Sequence, residues 1–251
     1  MKRSDESADF SSRAARSTVA APPKCSSKNS ARRRSDGSRS NARKKEAHMP
    51  DFTYEHEAYQ NGYTAVCGCD EAGRGPLCGP VVAAAVILPP DTVIEGLNDS
   101  KKLTEKKREA LYTKIIETAV AYGITEASPE EIDEINILNA SMLAMRRAIE
   151  KLAVPADFAL IDGNCTRGFT IPCQAIVKGD ALSASIAAAS VLAKVTRDRE
   201  CIELDKAYPL YGIAKHKGYP TRDHMDAVRR YGPAPIYRMS FLKFLHEDEN
   251  P

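Results

Sequence analysis

Two apolar runs, Thr64 to Cys69 and the eight-residue Val81 to Leu88, are separated by eleven residues that hold three glycines, two prolines and two adjacent acids. Short apolar runs bounded by glycine and proline read as buried β-strands, and two of them joined this closely read as a hairpin. Its turn, with Gly73, Gly75 and Gly79 beside Pro76 and Pro80, can leave the strand conformation because glycine adopts backbone angles closed to other residues. Helix and strand signals then alternate. From Thr104 as N-cap, Leu111, Ile115, Ala119 and Tyr122 recur at helical spacing with Gly123 as the stop, which predicts an amphipathic helix. Ser128-Pro129-Glu130-Glu131 has the cap, first-turn proline and capping-box acid of another helix start, whose apolar stripe runs on through Leu138, Met142, Met145, Ile149 and Leu152. Such stripes are core, not cofactor boxes. Phe158 to Ile161 and Thr170 to Val177 read as strands, and Ser183 to Val195 is so rich in Ala and Ser that its helix must pack closely on several sides. A last helix is expected from Thr221 to Tyr231. The alternation indicates an α/β architecture with a helical segment from about residue 200 onward.

Charge divides the chain in two. Residues 1–48 carry 13 Lys+Arg against 5 Asp+Glu, a net of +8, and the remainder carries 23 against 29, a net of −6. The first part also holds eleven serines and hardly a bulky apolar side chain, so it cannot bury enough surface to offset the entropy of ordering. Residues 1–50 are therefore expected to be a disordered basic tail, and residues 51–251 the folded domain. The tail reads as a solvated extension, as a basic arm adding salt-sensitive phosphate affinity, or as an upstream start preceding Met49; Asp5, Glu6 and Asp9 make it too acidic for a transit peptide. No apolar run approaches the ~20 residues of a membrane-spanning helix. The seven cysteines are odd in number in a chain that needs no staples, so reduced thiols in a cytoplasmic setting are expected. Cys67 and Cys69 would share a strand face as small hydrophobes rather than hold zinc.

Asp70 and Glu71 stand where the first apolar run meets the glycine turn. Neighbouring side chains on a regular strand face opposite ways, so the two serve one site only if the backbone leaves the pleat there; otherwise they cap the turn. Asp162 and Asp180 are each the first acid after an apolar strand and each lies beside a glycine, and taken singly each reads as a loop cap. Converged, the four would put a charge of −4 into a partly dry cleft, which must raise their pKa values or be met by cations. Two divalent ions would balance it. All-oxygen ligands select Mg²⁺ or Mn²⁺ over zinc, and a paired-ion carboxylate site is suited to phosphodiester hydrolysis.

Five stretches carry a resemblance: Gly68 to Pro76, Asp99 to Leu103, Asp162-Gly163-Asn164, Lys178 to Ala181 with Ser183 to Ser190 behind it, and Lys215 to Thr221. In them the chain resembles the type 2 ribonucleases H, in particular the bacterial ribonuclease HII form, over almost all of residues 51–251. The resemblance implies a ribonuclease H-like mixed sheet flanked by helices, with a C-terminal helical segment. It implies an endonuclease that cleaves the RNA strand of RNA–DNA hybrids and incises at ribonucleotides embedded in duplex DNA, leaving 5′-phosphate and 3′-hydroxyl ends, in ribonucleotide removal and replication primer removal. Its metal-binding acids fall on Asp70, Glu71, Asp162 and Asp180, with two Mn²⁺ or Mg²⁺ ions that Asp70 would bridge, Glu71 and Asp162 on one side and Asp180 on the other. The Gly73-Arg74-Gly75 turn would sense the 2′-hydroxyl and Tyr219 would stack on the sugar at the RNA-to-DNA junction. Lys101 and Lys217 would bind substrate, and Lys102, Lys194, Arg197, Lys215 and His216 would help hold phosphates. A cytoplasmic monomer is expected. Cys69 and Cys78 depart from the small or aliphatic residues usual at their positions, and the tail matches nothing in the pattern. Two rivals stand beside this reading: another nuclease of similar fold, such as a junction resolvase, and a non-catalytic binder that works through its basic tail.

Overall fold

The computed structural model describes residues 49–247, so the expected tail lies outside the described residues except for its last two positions. Five strands form one mixed sheet: β1 (Val66–Ala72), β2 (Val81–Ile87), β3 (Ala121–Ala127), β4 (Phe158–Asp162) and β5 (Cys173–Ile176), in the order β3-β2-β1-β4-β5. β1, β2 and β3 pair antiparallel, whereas β4 and β5 run parallel to β1. The hairpin is therefore as the sequence predicts. β2 is buried along its whole length, and its three central alanines, Ala83, Ala84 and Ala85, let helices approach both faces.

Helices α1 (Thr53–Gln60), α2 (Glu105–Thr118), α3 (Pro129–Glu150) and α4 (Ala184–Ala207) cover the sheet. On one face Cys67, Cys69, Ala83 and Ala85 pack against Met142, Met145 and Ala148 of α3, so the two cysteines do share a face as core residues. On the other face Ala84 and Val86 meet Leu111 and Ile115 of α2 and the Ala-rich half of α4. A Cβ on Gly68 would stand 2.1 Å from the Ser185 carbonyl carbon, so only glycine lets α4 cross β1 so closely. After α4, the short helix α5 (Ile213–His216) and α6 (Arg222–Tyr231) build a separate cluster with Leu77 and Cys78, burying Ile213, Val228 and Tyr237.

The capping box at Ser128 forms as expected, with Ser128 Oγ accepting from Glu131 N and Glu131 returning to Ser128 N. α3 is kinked at Asn136 (φ 64°), whose side chain accepts from Leu138 N and Asn139 N and restarts the helix; Leu138, placed in the apolar stripe, is 43% exposed as a result. The predicted helix over Thr104 to Gly123 stops at Thr118. Ala119 caps it, and Tyr122 and Gly123 belong to edge strand β3. Gly123 is there because a Cβ would meet the Ala148 carbonyl of α3 at 2.1 Å. Strand β1 continues through both acids to Ala72, β5 is shorter than Thr170 to Val177, and α4 continues twelve residues past Val195 to Ala207. No helix among the described residues is long and apolar enough to cross a membrane.

Candidate active site

Strand register brings the acids together. β1 and β4 run side by side to the pair Cys69 and Ile161, so the next residues, Asp70 and Asp162, are neighbours on adjacent parallel strands. β4 ends there, and Glu71 lies one residue past the end of that partner. Asp70 and Glu71 therefore reach one cavity without β1 leaving its pleat, because the open flank beyond β4 gives Glu71 the access that a turn was expected to provide. The cavity, of about 220 Å³, is lined by Asp70, Glu71, Asp162 and Lys101 on one wall and by Gly73 to Gly75 and Tyr219 on the other. Asp180 follows Gly179, whose N–H donates to Asp162 Oδ1 at 2.7 Å, and this contact draws the third strand end toward the first two. A larger hollow of about 430 Å³ lies beside His56 and Asp91, away from the ends of β1 and β4.

Asp70 is 4% exposed; its Oδ1 accepts from Glu71 N at 2.7 Å, and it takes a hydrogen bond from Ser190 of α4. Burial, then the charges of Glu71 and Asp162, push its carboxyl well above the usual range. Burial also raises Glu71, against the pull of Arg74, whose Nη1 lies 3.1 Å from Glu71 Oε1. Asp180 is raised by burial and by Asp162, against the opposing pull of Lys101, whose Nζ is 3.2 Å from Asp180 Oδ2. Lys101 stands at the start of a single helical turn, Ser100–Lys102, capped by Asp99. The site is short of positive charge.

The opposite wall is built from backbone. Gly73 and Gly79 have φ of 95° and 73°, which glycine alone adopts without strain. A Cβ on Gly75 would meet Tyr219 Cε1 at 3.1 Å, so the tyrosine ring lies against the turn. Tyr219 is 46% exposed and held from behind: its carbonyl accepts from Thr221 N at 2.8 Å and lies 3.0 Å from His224 Nδ1. His224 is fully buried, stacks on His216 at 4.1 Å and reaches Tyr237 Oη at 2.8 Å.

Of the other cations assigned to phosphates, Lys194 lines the cavity and pairs with Asp198 at 2.5 Å. Lys217, in the left-handed conformation after α5, is not among the lining residues, and Lys215 pairs with Asp223 on the surface. His216 is engaged with Tyr211 O and Gly218 N. Arg197 is corrected outright: it is 2% exposed, donates to Cys78 O and Cys201 Sγ, and lies under the glycine turn rather than on a phosphate-facing surface.

Four contributors escaped the sequence reading. Ser190 and Ser100, with Oγ atoms 2.9 Å apart, support Asp70; Ser190 sits in a helix whose Ala and Ser content was read as packing alone. Glu55 of α1 is 1% exposed and accepts from Ser183 Oγ at 2.6 Å, Ser185 N at 2.9 Å and Ser185 Oγ, pinning the start of α4 three residues beyond Asp180. Helix α1 has no apolar stripe to announce it. Arg238 is fully buried beneath the turn, and the only trace of it in the sequence is an arginine within the otherwise apolar Ile236 to Met239.

The chain matches the family model described as Ribonuclease HII over residues 67–244. A protein named Ribonuclease HII from Acetivibrio thermocellus is 57% identical over 190 residues, covering 76% of this chain and 74% of that protein. Another of that name from Vibrio vulnificus is 54% identical over 200 residues, 80% of this chain and 94% of the relative. Among solved structures, the ribonuclease H2 from Pyrococcus horikoshii OT3 is similar with a TM-score of 0.61 at 29% identity, over 75% of this chain and 100% of that one.

Proposed function

The chain belongs to the ribonuclease HII family of ribonuclease H endonucleases, and on that premise we propose that its carboxylate cavity cleaves the RNA strand of RNA–DNA hybrids and incises at ribonucleotides embedded in duplex DNA. The observation that carries this reading is the pairing of Asp70 with Asp162 at the ends of adjacent strands, facing a glycine turn and Tyr219 across one cavity.

The family is metal-dependent. The donor set here suits a hard divalent ion: three carboxylates and no thiol or imidazole line the cavity, Asp180 stands beside it against the lining Lys101, and acids are raised in pKa for want of positive charge. Among the described residues no three such side chains close on a common point as they stand, and Arg74 and Lys101 lie against Glu71 and Asp180. Asp70, Glu71, Asp162 and Asp180 would hold the ions, two Mg²⁺ or Mn²⁺. Bound there, such ions supply charge neutralisation and Lewis acidity at the phosphodiester.

The chain's own groups do the rest. Ser190 and the Glu71 amide fix the Asp70 carboxylate, and Gly179 N–H fixes that of Asp162, so both are preorganised. Lys101 and Lys194 give the substrate backbone its counter-charge. The glycines of the turn let main chain approach the shallow minor groove of an A-like duplex where the 2′-hydroxyl lies, and Tyr219 offers a face for stacking at the junction. Products are a 5′-phosphate and a 3′-hydroxyl.

The test is one gel. A labelled duplex bearing a single ribonucleotide, an all-DNA duplex and an all-DNA four-way junction are incubated with Mg²⁺, Mn²⁺ or chelator. Incision confined to the ribonucleotide and abolished by chelator supports the reading; cleavage of the junction, or activity in chelator, overturns it.

A further inference from the structure

We propose that Arg238 is a positioning residue for ribonucleotide recognition, the side chain that sets the backbone of the turn from Gly73 to Pro80 and with it the gap between that turn and Tyr219. This rests on the function proposed above and adds to it a residue outside the cavity.

The guanidinium is fully buried and meets five backbone carbonyls. Nε donates to Gly79 O at 2.9 Å, Nη1 to Arg74 O at 3.1 Å and Pro76 O at 2.8 Å, and Nη2 to Gly73 O at 2.7 Å and Pro80 O at 3.0 Å. Arginine has five N–H donors in a rigid fork, and here all five are used on one turn. Arg238 N also donates to Leu77 O at 2.9 Å, and Arg197 Nη2 to Cys78 O at 2.8 Å. Seven of the eight carbonyls from Gly73 to Pro80 thus accept from two buried arginines. The exception is Gly75, the residue against which Tyr219 lies.

A carbonyl drawn inward fixes the orientation of the peptide plane to which it belongs. With seven of them drawn inward, the shape the turn presents to the cavity is specified from below, by a residue some 160 positions later in the chain. The turn also bonds the segments on both sides of it: Gly79 N donates to Ile236 O, two residues before Arg238, and Leu77 N to Gly218 O, next to Tyr219, each at 2.8 Å. Turn and tyrosine move as one unit only while this lattice is complete. Lysine keeps the charge and offers three donors without the planar fork, so it cannot reproduce the set.

The consequence differs between substrates. A uniform hybrid presents a 2′-hydroxyl at every step and tolerates a displaced turn by shifting register. A lone ribonucleotide presents one, at one distance from the junction. Steady-state kcat/KM is therefore measured on both for the wild type, Arg238→Lys, Arg238→Gln and Leu242→Ala, the last being a buried core residue of the same C-terminal cluster. In both Arg238 variants the ratio of lone-ribonucleotide to hybrid cleavage is expected to fall at least tenfold, while Leu242→Ala lowers the melting temperature and keeps the ratio within twofold. Equal losses on both substrates in the Arg238 variants would overturn the proposal and leave the residue a plain structural support. A wild type that cuts neither substrate would overturn the functional reading instead, so the two failures are distinguishable.

Discussion

The two walls of the cavity are held in place by opposite means. On the acid wall, carboxylates stand at the ends of adjacent strands, placed by sheet register and left with less positive charge than they need. On the reading wall, a turn without regular structure is placed by long-range hydrogen bonds from two buried cations whose hydrogen-bond partners are neutral. The first wall is frustrated and the second is nearly saturated. The carboxylates carry the frustration, whereas seven of the eight carbonyls of the turn are satisfied.

The contrast breaks most visibly at Asp70. Asp70→Asn is expected to cost at least about 10³-fold in kcat, the scale of losing a preorganised electrostatic group, with substrate binding retained. The same change is expected to raise stability by about 1 kcal/mol in chelator, or roughly 2–4 °C in Tm, because it removes a charge that burial resists. Cleavage assays paired with thermal melts check both; a fall in Tm would mean that the acid wall is not frustrated.

Next in size is the response to pH, where the walls have opposite signs. His224, behind Tyr219, is lowered from 6.5 to about 4, by burial first and by His216 in addition. The unfolded chain takes up that proton at 6.5, so the contribution of His224 is complete above pH 6.5 and is lost as pH falls toward 4, by about 3 kcal/mol at most. Asp70 is raised in the folded state, so its contribution is present in acid and is lost as pH rises above 3.8. Chemical denaturation from pH 4 to 8 should show His224→Phe flattening the acid limb. An unchanged acid limb in that variant would assign it elsewhere.

The smallest effect sharpens the comparison at the rim. Lys101 pairs with Asp180 but its side chain is 75% exposed, which limits the pair to about 1 kcal/mol or less. Lys101→Met is expected to lower the half-saturating Mg²⁺ concentration by about 2–5-fold, because the cation that competes for Asp180 is gone. A titration of activity against Mg²⁺ reads it, and a higher half-saturating concentration in the variant would show instead that Lys101 supports ion binding.

What the sequence revealed follows the same division. The hairpin and the Ser128 capping box are local signals, carried by residues near one another in the chain, and each appears where the sequence puts it. β3 was lost because Ala119 and Tyr122 extend the helical spacing of Leu111 and Ile115, while the reason for Gly123, the Ala148 carbonyl, belongs to another element. The pairing of Asp70 and Glu71 in one cavity was read as needing a bent backbone; it needs only that β4 stop at Asp162. Arg238 and Glu55 were illegible because their partners lie 158–165 and 128–130 residues away. Neither leaves a periodicity.

The lattice between Arg238 and the turn also has a temporal side. A ribosome completes Gly73 to Pro80 some 160 residues before it reaches Arg238, so a growing polypeptide carries Asp70, Glu71, Asp162 and Asp180 before it can make the contacts that shape the turn. During synthesis the acid wall is therefore complete before the residue that shapes the facing turn exists.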